Sequence, residues 1–253
     1  MSFFNRPIYL APLLALALAL ASQAASAQVE EYVLDPVHTR VQFTVSHAGF
    51  SSAIGTVSGS TGGLWFDPDD WSSARIEVSV PLQRVDLGDA KWNQATLARN
   101  LLDASQYPHA TFISTSAEPV AAERARVTGL LTLRGQTREV VLEVSLNALK
   151  RHPLPPFRRT VGFSATTQLS RADFGITAWG SMIGDEVQLR MEVEAVRGRF
   201  DPGADGLEQE ASRSSQDVPA DADAPPGQGA EPLPTADPDP SDVDAAVSPE
   251  TTP

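Results

Sequence analysis

The chain has 253 residues, a formal charge of −13, no cysteine, and a hydrophobic fraction of 42%. Without cysteine there is no disulfide framework, thiolate metal site or lipoprotein anchor, so a secreted domain of this kind must rest on its core alone. An acidic balance also excludes the electrostatic footprint of a nucleic-acid-binding protein.

Residues 1–27 read as a cleaved signal peptide. They carry one basic residue, Arg6, then an apolar run from Leu10 to Ala21, and end in the small-x-small triplet Ala25-Ser26-Ala27. The run falls short of the ~20 residues needed to span a bilayer. A periplasmic location is the expectation.

From Gln28 onward a two-residue rhythm dominates. Val41-Gln42-Phe43-Thr44-Val45-Ser46-His47 alternates apolar and polar, and so do four later runs. Such alternation gives a strand one apolar and one polar face. The predicted strands are Glu31–Leu34, Val37–Ser46, Ile54–Phe66, Ala74–Pro81, Ala110–Ala117, Arg124–Leu133, Arg138–Leu149, Thr160–Leu169 and Asp185–Ala195. Gly55, Gly59, Gly62 and Gly63 lie in the third; they are read as letting a strand coil sharply, since no Lys-Ser or Lys-Thr follows to make a phosphate loop. One helix is predicted over Ala90–Leu102, in the connection after the fourth strand, and a short turn near Ala104–Tyr107. Arg134-Gly135-Gln136-Thr137 reads as a tight hairpin. Sequential strands with short turns imply an antiparallel meander, either two stacked sheets or one closed barrel. Few, long strands favour the barrel. A membrane-integral barrel would carry the pattern inside out, with aromatic girdles that are absent here.

The segment 201–253 holds 13 acidic residues against one arginine, a charge of −12, with 10 of the 20 prolines and no aromatic residue. Such a composition cannot offset its ordering entropy, so a disordered tail is expected, more a solubilising appendage than an interaction site. Residues 28–200 then form one domain of charge −2.

No catalytic set stands out. His38, His47, His109 and His152 lack metal-ligand spacing. Ser46 and His47 point to opposite faces of a strand, so they make no nucleophilic dyad. Glu77, Glu139, Glu143, Glu192 and Glu194 fall on the outward register. Asp173-Phe174-Gly175 is read as a turn, with Arg171 pairing Asp173. A closed barrel with an apolar interior and no chemistry suggests a container for an apolar ligand.

Four segments in order carry a family resemblance. They are Asp35-Pro36-Val37-His38-Thr39-Arg40 running on to His47, Tyr107-Pro108-His109-Ala110-Thr111-Phe112, Thr128 to Thr137, and Ser170-Arg171-Ala172-Asp173-Phe174-Gly175. Together they resemble the YceI-like family of periplasmic lipid-binding proteins, over about Glu31 to Val196. The resemblance implies an all-β fold: a lipocalin-like, eight-stranded antiparallel barrel with a short flanking helix. It also implies a tunnel for a polyisoprenoid chain and no catalysis. This chain departs from the pattern in its helix, where the usual histidine is replaced and Trp92 is added, and in its acidic tail.

The expected lining is Val41, Phe43, Val45, Ile76, Val78, Phe112, Leu131, Leu142, Val144, Phe163 and Leu189, with His47, Trp92 and Arg171 as polar groups near a mouth. The expected ligand is a quinone or polyprenyl lipid, with no cofactor and no metal. The expected partners exclude nucleic acid and membrane integration and leave a homodimer open. Two other readings stand beside the carrier: a hydrolase using carboxylates at the barrel mouth, and a filled-core interaction module acting through its acidic tail.

Overall fold

The computed structural model describes residues 28–202. The signal-peptide and acidic-tail expectations lie outside these residues. The described elements are β1 (Glu30–Leu34), β2 (Arg40–His47), β3 (Ser51–Ser58), β4 (Thr61–Phe66), β5 (Arg75–Pro81), β6 (Val85–Asp86), α1 (Ala90–Leu97), β7 (His109–Ala121), β8 (Arg124–Leu133), β9 (Gln136–Arg151), β10 (Arg159–Ser170) and β11 (Ile183–Arg197).

The strands pair antiparallel in the order β1-β4-β5-β7-β8-β9-β10-β11-β2-β3-β6, and β1 pairs again with β11. β11 holds β2 along Val187–Glu192 and β1 along Ala195–Arg197. β1 and β2 are therefore two halves of one bent stave, and β3 and β4 are another. Eight staves close into a barrel, with the two-residue β6 pairing the second side of β3 at Thr56 and Val57.

The bends have local causes. Between β3 and β4, Gly59 sits at φ +80° and Gly62 at φ +154°, and a Cβ on Gly62 would lie 2.0 Å from the Glu77 carbonyl oxygen. Only glycine fits there. The single predicted strand Ile54–Phe66 is thus two strands meeting at an angle. Between β1 and β2, the Asp35 carboxylate accepts hydrogen bonds from the Val37 and His38 amides and from the His38 ring, which turns residues 35–39 out of the sheet. β7 runs on past the predicted end at Ala117 and through Pro119; the proline ring sits at an irregularity in the pairing with β8, a place where its missing N–H costs nothing.

The helix is shorter than predicted. It ends at Ala98, which is extended, and the chain wraps back through bonds from Leu102 N to Thr96 O and Ala104 N to Leu97 O. No residue of α1 is buried, so no packed face carries the helix on to Leu102.

Alternating strand direction sorts the loops between two ends. The β2–β3 turn, the 82–108 connection with α1, the Arg134-Gly135 turn and the 171–182 connection share one end. The 67–74, 122–123 and 152–158 loops and both described chain ends share the other. This second end is filled. Tyr32, Leu34, Leu64, Phe66, Trp71, Ala125, Val161, Phe163 and Ala195 form one buried cluster there.

Candidate functional site

The alternation that closes the barrel points one residue in two at its axis, and above the filled end these side chains pack against neighbours on the wall without filling the axis. They surround a cavity of about 750 Å³. Val41, Phe43, Val45, Ile76, Val78, Leu131, Leu142, Val144 and Leu189 all line it, and each is only half-buried although it points inward. Their residual exposure is to the cavity. A filled core would have buried them.

The floor is aromatic. Phe66, Trp71 and Phe163 make three mutual edge-to-face contacts, with ring centroids 5.0, 5.2 and 6.0 Å apart. This is the arrangement ring quadrupoles prefer. Phe163 is therefore a buried floor residue shared between core and cavity. Beneath it Tyr32 is fully buried, and its hydroxyl donates to Glu30 Oε2 at 2.5 Å. Arg159 Nε reaches the same Glu30 oxygen at 2.7 Å, and Arg197 lies 3.3 Å from the other. Burial first, then the bond to Glu30, raises the Tyr32 pKa, so the phenol stays a donor and the polar seal stays intact.

Two glycines keep the lumen open. Gly55 stands opposite Phe43 in the β2–β3 register, and a Cβ there would lie 2.2 Å from Phe43 Cζ. A Cβ on Gly129 would lie 2.4 Å from Phe112 Cζ. The two largest wall rings therefore lie flat over bare backbone rather than projecting across the axis. The sequence reading took Gly55 only as part of a bend and gave Gly129 no such role.

The mouth is built by loops. In α1, Asp89 caps the first turn by accepting from the Lys91 and Trp92 amides, and Asn93 ties the helix back to the Leu87 amide and the Asp86 carboxylate. Hydrogen bonds from the Gly88 amide and Asn93 hold the Asp86 pKa below the usual carboxylate range. Trp92 leans on His47, ring centroids 5.2 Å apart, so the two predicted mouth residues meet each other as well as the cavity.

Arg171 behaves differently from its sequence reading. Its guanidinium does not pair with Asp173. It is buried and donates to four backbone carbonyls, of Gly184, Ile176, Ala178 and Ile183, at 2.7–2.8 Å. Five fixed donors suit such a multi-carbonyl staple, and the loop carrying Trp179 and Met182 is shaped around it. Arg171 thus lines the cavity as a loop organiser, with four of its five donors committed to the loop. Asp185 caps the same loop at the Ala172 amide; the Ser170 hydroxyl and that amide hold its pKa low. Arg134, left out of the candidate set, joins Gly175 O at 2.6 Å to Arg99 O at 3.0 Å and so links this loop to the connection after α1.

All fourteen residues selected from the sequence lie on this one cavity. Phe66, Trp71, Trp179 and Met182 also line it and were missed; they fall in segments read as turns or at strand ends, where a period-two pattern is silent. Among the described residues no Asp or Glu lines the cavity, and no group of three His, Asp or Glu side chains is placed to hold a metal ion. Glu77, Glu139, Glu143, Glu192 and Glu194 lie off its wall.

Residues 32–195 match the model of the YceI-like domain. A UPF0312 protein of Pseudomonas savastanoi pv. phaseolicola is 33% identical over 169 residues, 66% of this chain and 86% of the relative. A UPF0312 protein of Yersinia enterocolitica is 32% identical over 183 residues, 72% of this chain and 94% of the relative. Among solved structures, Burkholderia cenocepacia BcnA superposes with a TM-score of 0.58 at 22% identity, covering 64% of this chain and 98% of that one. A polyisoprenoid binding domain from Saccharophagus degradans superposes with a TM-score of 0.51 at 14% identity, covering 68% and 100%. At these identities the two structures speak for the fold.

Proposed function

The chain belongs to the YceI-like family, and from that premise we propose that it is a periplasmic carrier or reservoir for an isoprenoid-type lipid, a quinone or polyprenyl chain, held without catalysis and without a cofactor. The observation that carries this reading is the hollow barrel: a cavity of about 750 Å³ with an aliphatic and aromatic wall, within the size range of ligand sites. Each methylene moved from water to such a wall contributes ~0.8 kcal/mol, so a long chain binds without a polar anchor. Cavity length and shape then set selectivity. The name of the Saccharophagus degradans neighbour, a polyisoprenoid binding domain, points to the same ligand class.

The hydrolase reading finds no carboxylate on the wall among the described residues to act as acid, base or nucleophile. The filled-core reading meets half-buried inward side chains around an open lumen.

Native mass spectrometry of protein purified from a periplasm tests the proposal. A co-purifying apolar mass, or stoichiometric uptake of a prenyl alcohol by the apo form, is expected. A clean apo mass with no uptake would overturn it.

A further inference from the structure

A carrier of this kind has to meet its ligand somewhere. An isoprenoid chain is almost absent from water, and its free chains lie in a bilayer. The open end of the barrel carries a surface suited to that meeting. Phe50, at the tip of the β2–β3 turn, is 94% exposed, and Trp179, Met182 and Trp92 are 60, 44 and 43% exposed. The last three line the cavity, so they stand at its opening. The three segments that carry these side chains are joined. Ala48 N donates to Met182 O at 2.5 Å, which ties the Phe50 turn to the Trp179 loop, and His47 meets Trp92 across to α1.

Charge separates two of the segments at this end from the third. One residue in five of the whole chain is charged, yet β2 and β3 from Val41 to Ser58 and the loop 174–184 contain no Asp, Glu, Lys or Arg, whereas the 82–108 connection beside them carries Arg84, Asp86, Asp89, Lys91, Arg99 and Asp103. In β2 and β3 even the solvent-facing positions Gln42, Thr44, Ser46, Ser52, Thr56 and Ser58 are neutral, and Ile54 is exposed beside them. A surface that only met water would have no reason to exclude charge. A surface pressed down to the acyl boundary has one, because a charged side chain is costly in hydrocarbon whereas tryptophan is favoured where the acyl chains meet the headgroups. The filled end is the contrast. Its 152–158 loop exposes Leu154 and Phe157 but flanks them with Lys150, Arg151, Arg158 and Arg159. The described residues also end there, at residue 202.

We propose that the open end docks on the surface of a lipid bilayer, with Phe50, Trp179 and Met182 entering the interface, so that a chain passes between membrane and cavity without crossing water. The proposal rests on the lipid-carrier reading only for the nature of the cargo; docking is measurable on the apo protein. Because the contact is apolar, it holds on neutral lipid and resists salt, unlike attachment through basic residues.

The test is flotation of the full mature chain with phosphatidylcholine vesicles, with and without phosphatidylglycerol, read beside tryptophan quenching by brominated acyl chains. Uptake of a prenyl alcohol presented from cyclodextrin is measured separately. The wild type should float with neutral vesicles, be quenched, and keep both properties in high salt. Phe50→Ser touches no cavity wall and sits on an exposed turn; it should lower vesicle partitioning about tenfold and leave cyclodextrin uptake unchanged. Uptake without flotation would overturn docking and leave the carrier reading standing. Flotation without uptake would support docking and remove the carrier reading. Binding that needs phosphatidylglycerol and is lost in Phe157→Ser rather than Phe50→Ser would overturn the proposal in favour of the basic loop. Self-association abolished by Phe50→Ser, with no vesicle binding, would make a second copy the occupant and overturn it as well.

Discussion

The two ends of this barrel are made from the same alternating strands and differ in what closes over them. At one end Phe66, Trp71 and Phe163 lock edge to face above the Tyr32–Glu30–Arg159 seal. At the other, Val45, Leu142 and Leu189 face an open lumen, and two rings are laid flat over Gly55 and Gly129. One end supplies stability and the other supplies volume. A small barrel needs both, since a chain without disulfides cannot spread its core thinly everywhere.

Truncation should expose this difference most strongly. Phe163→Ala is expected to cost about 3–5 kcal/mol, the range for a deleted buried aromatic. Leu189→Ala, at a wall already exposed to the cavity, should cost below about 2 kcal/mol, because few contacts are lost and no new void is made. Urea unfolding of both variants decides; equal losses would mean that the lumen is as packed as the floor.

Enlargement should run the other way. Ala195→Leu in the filled end is expected to cost about 1–3 kcal/mol by overpacking. Leu189→Trp should fold with near wild-type stability and lose prenyl uptake, since the ring occupies the lumen. A Leu189→Trp protein that still takes up ligand would place the ligand elsewhere. Between the two regimes, Gly129→Ala drives its Cβ against the Phe112 ring and to 2.6 Å from the Ile113 carbonyl oxygen, so the ring moves into the lumen and the strand pair must shift as well. A cost of about 1–3 kcal/mol and a partial loss of uptake are expected, and unchanged uptake would separate the flat rings from the open cavity. Tyr32→Phe removes two hydrogen bonds of the seal, the one donated to Glu30 and the longer one accepted from Arg159 Nε, and should cost about 1–3 kcal/mol with uptake intact.

The smallest effect is a pH dependence of the corner between β1 and β2. The bond to Asp35 and its charge raise the His38 pKa. Burial works against the Asp35 carboxylate, but its bonds from the His38 ring and from the Val37 and His38 amides win and lower its pKa. The histidine contribution is complete below its ordinary value of 6.5 and fades as pH rises above it through the raised folded value. The carboxylate contribution is complete above its ordinary value of 3.8 and fades as pH falls through the lowered folded value. Protection of the Val37 and His38 amides from hydrogen exchange should therefore peak between these two values, and a flat profile would contradict the pairing.

Much of the hollow end was legible from the sequence, because its wall is strand and strand periodicity marks an inward face. Val41, Phe43 and Val45 follow each other at intervals of two for that reason. What the periodicity could not carry is depth and closure. Phe163 obeys the same alternation as Leu189, yet one is pinned by Trp71, a residue of a short 3-10 turn with no strand pattern. Arg171 was chosen for its charge, and its fate was decided by four carbonyls from the loop that follows it, a partnership invisible to any local motif. Gly55 signalled only a bend and Gly129 no role of its own, whereas the larger effect of both is on the ring that each one faces.

Photolabelling tests the central contrast most directly. A prenyl alcohol bearing a diazirine near its end is loaded into the full chain, irradiated, and the modified residues are mapped by peptide mass spectrometry. Labels on β2, β9 and β11 at Val45, Leu142 and Leu189, with none on outward positions such as Glu143 or Arg190, are the expected result. Labelling spread over the outer face, or none above that of the Leu189→Trp variant, would contradict a lipid site inside the barrel.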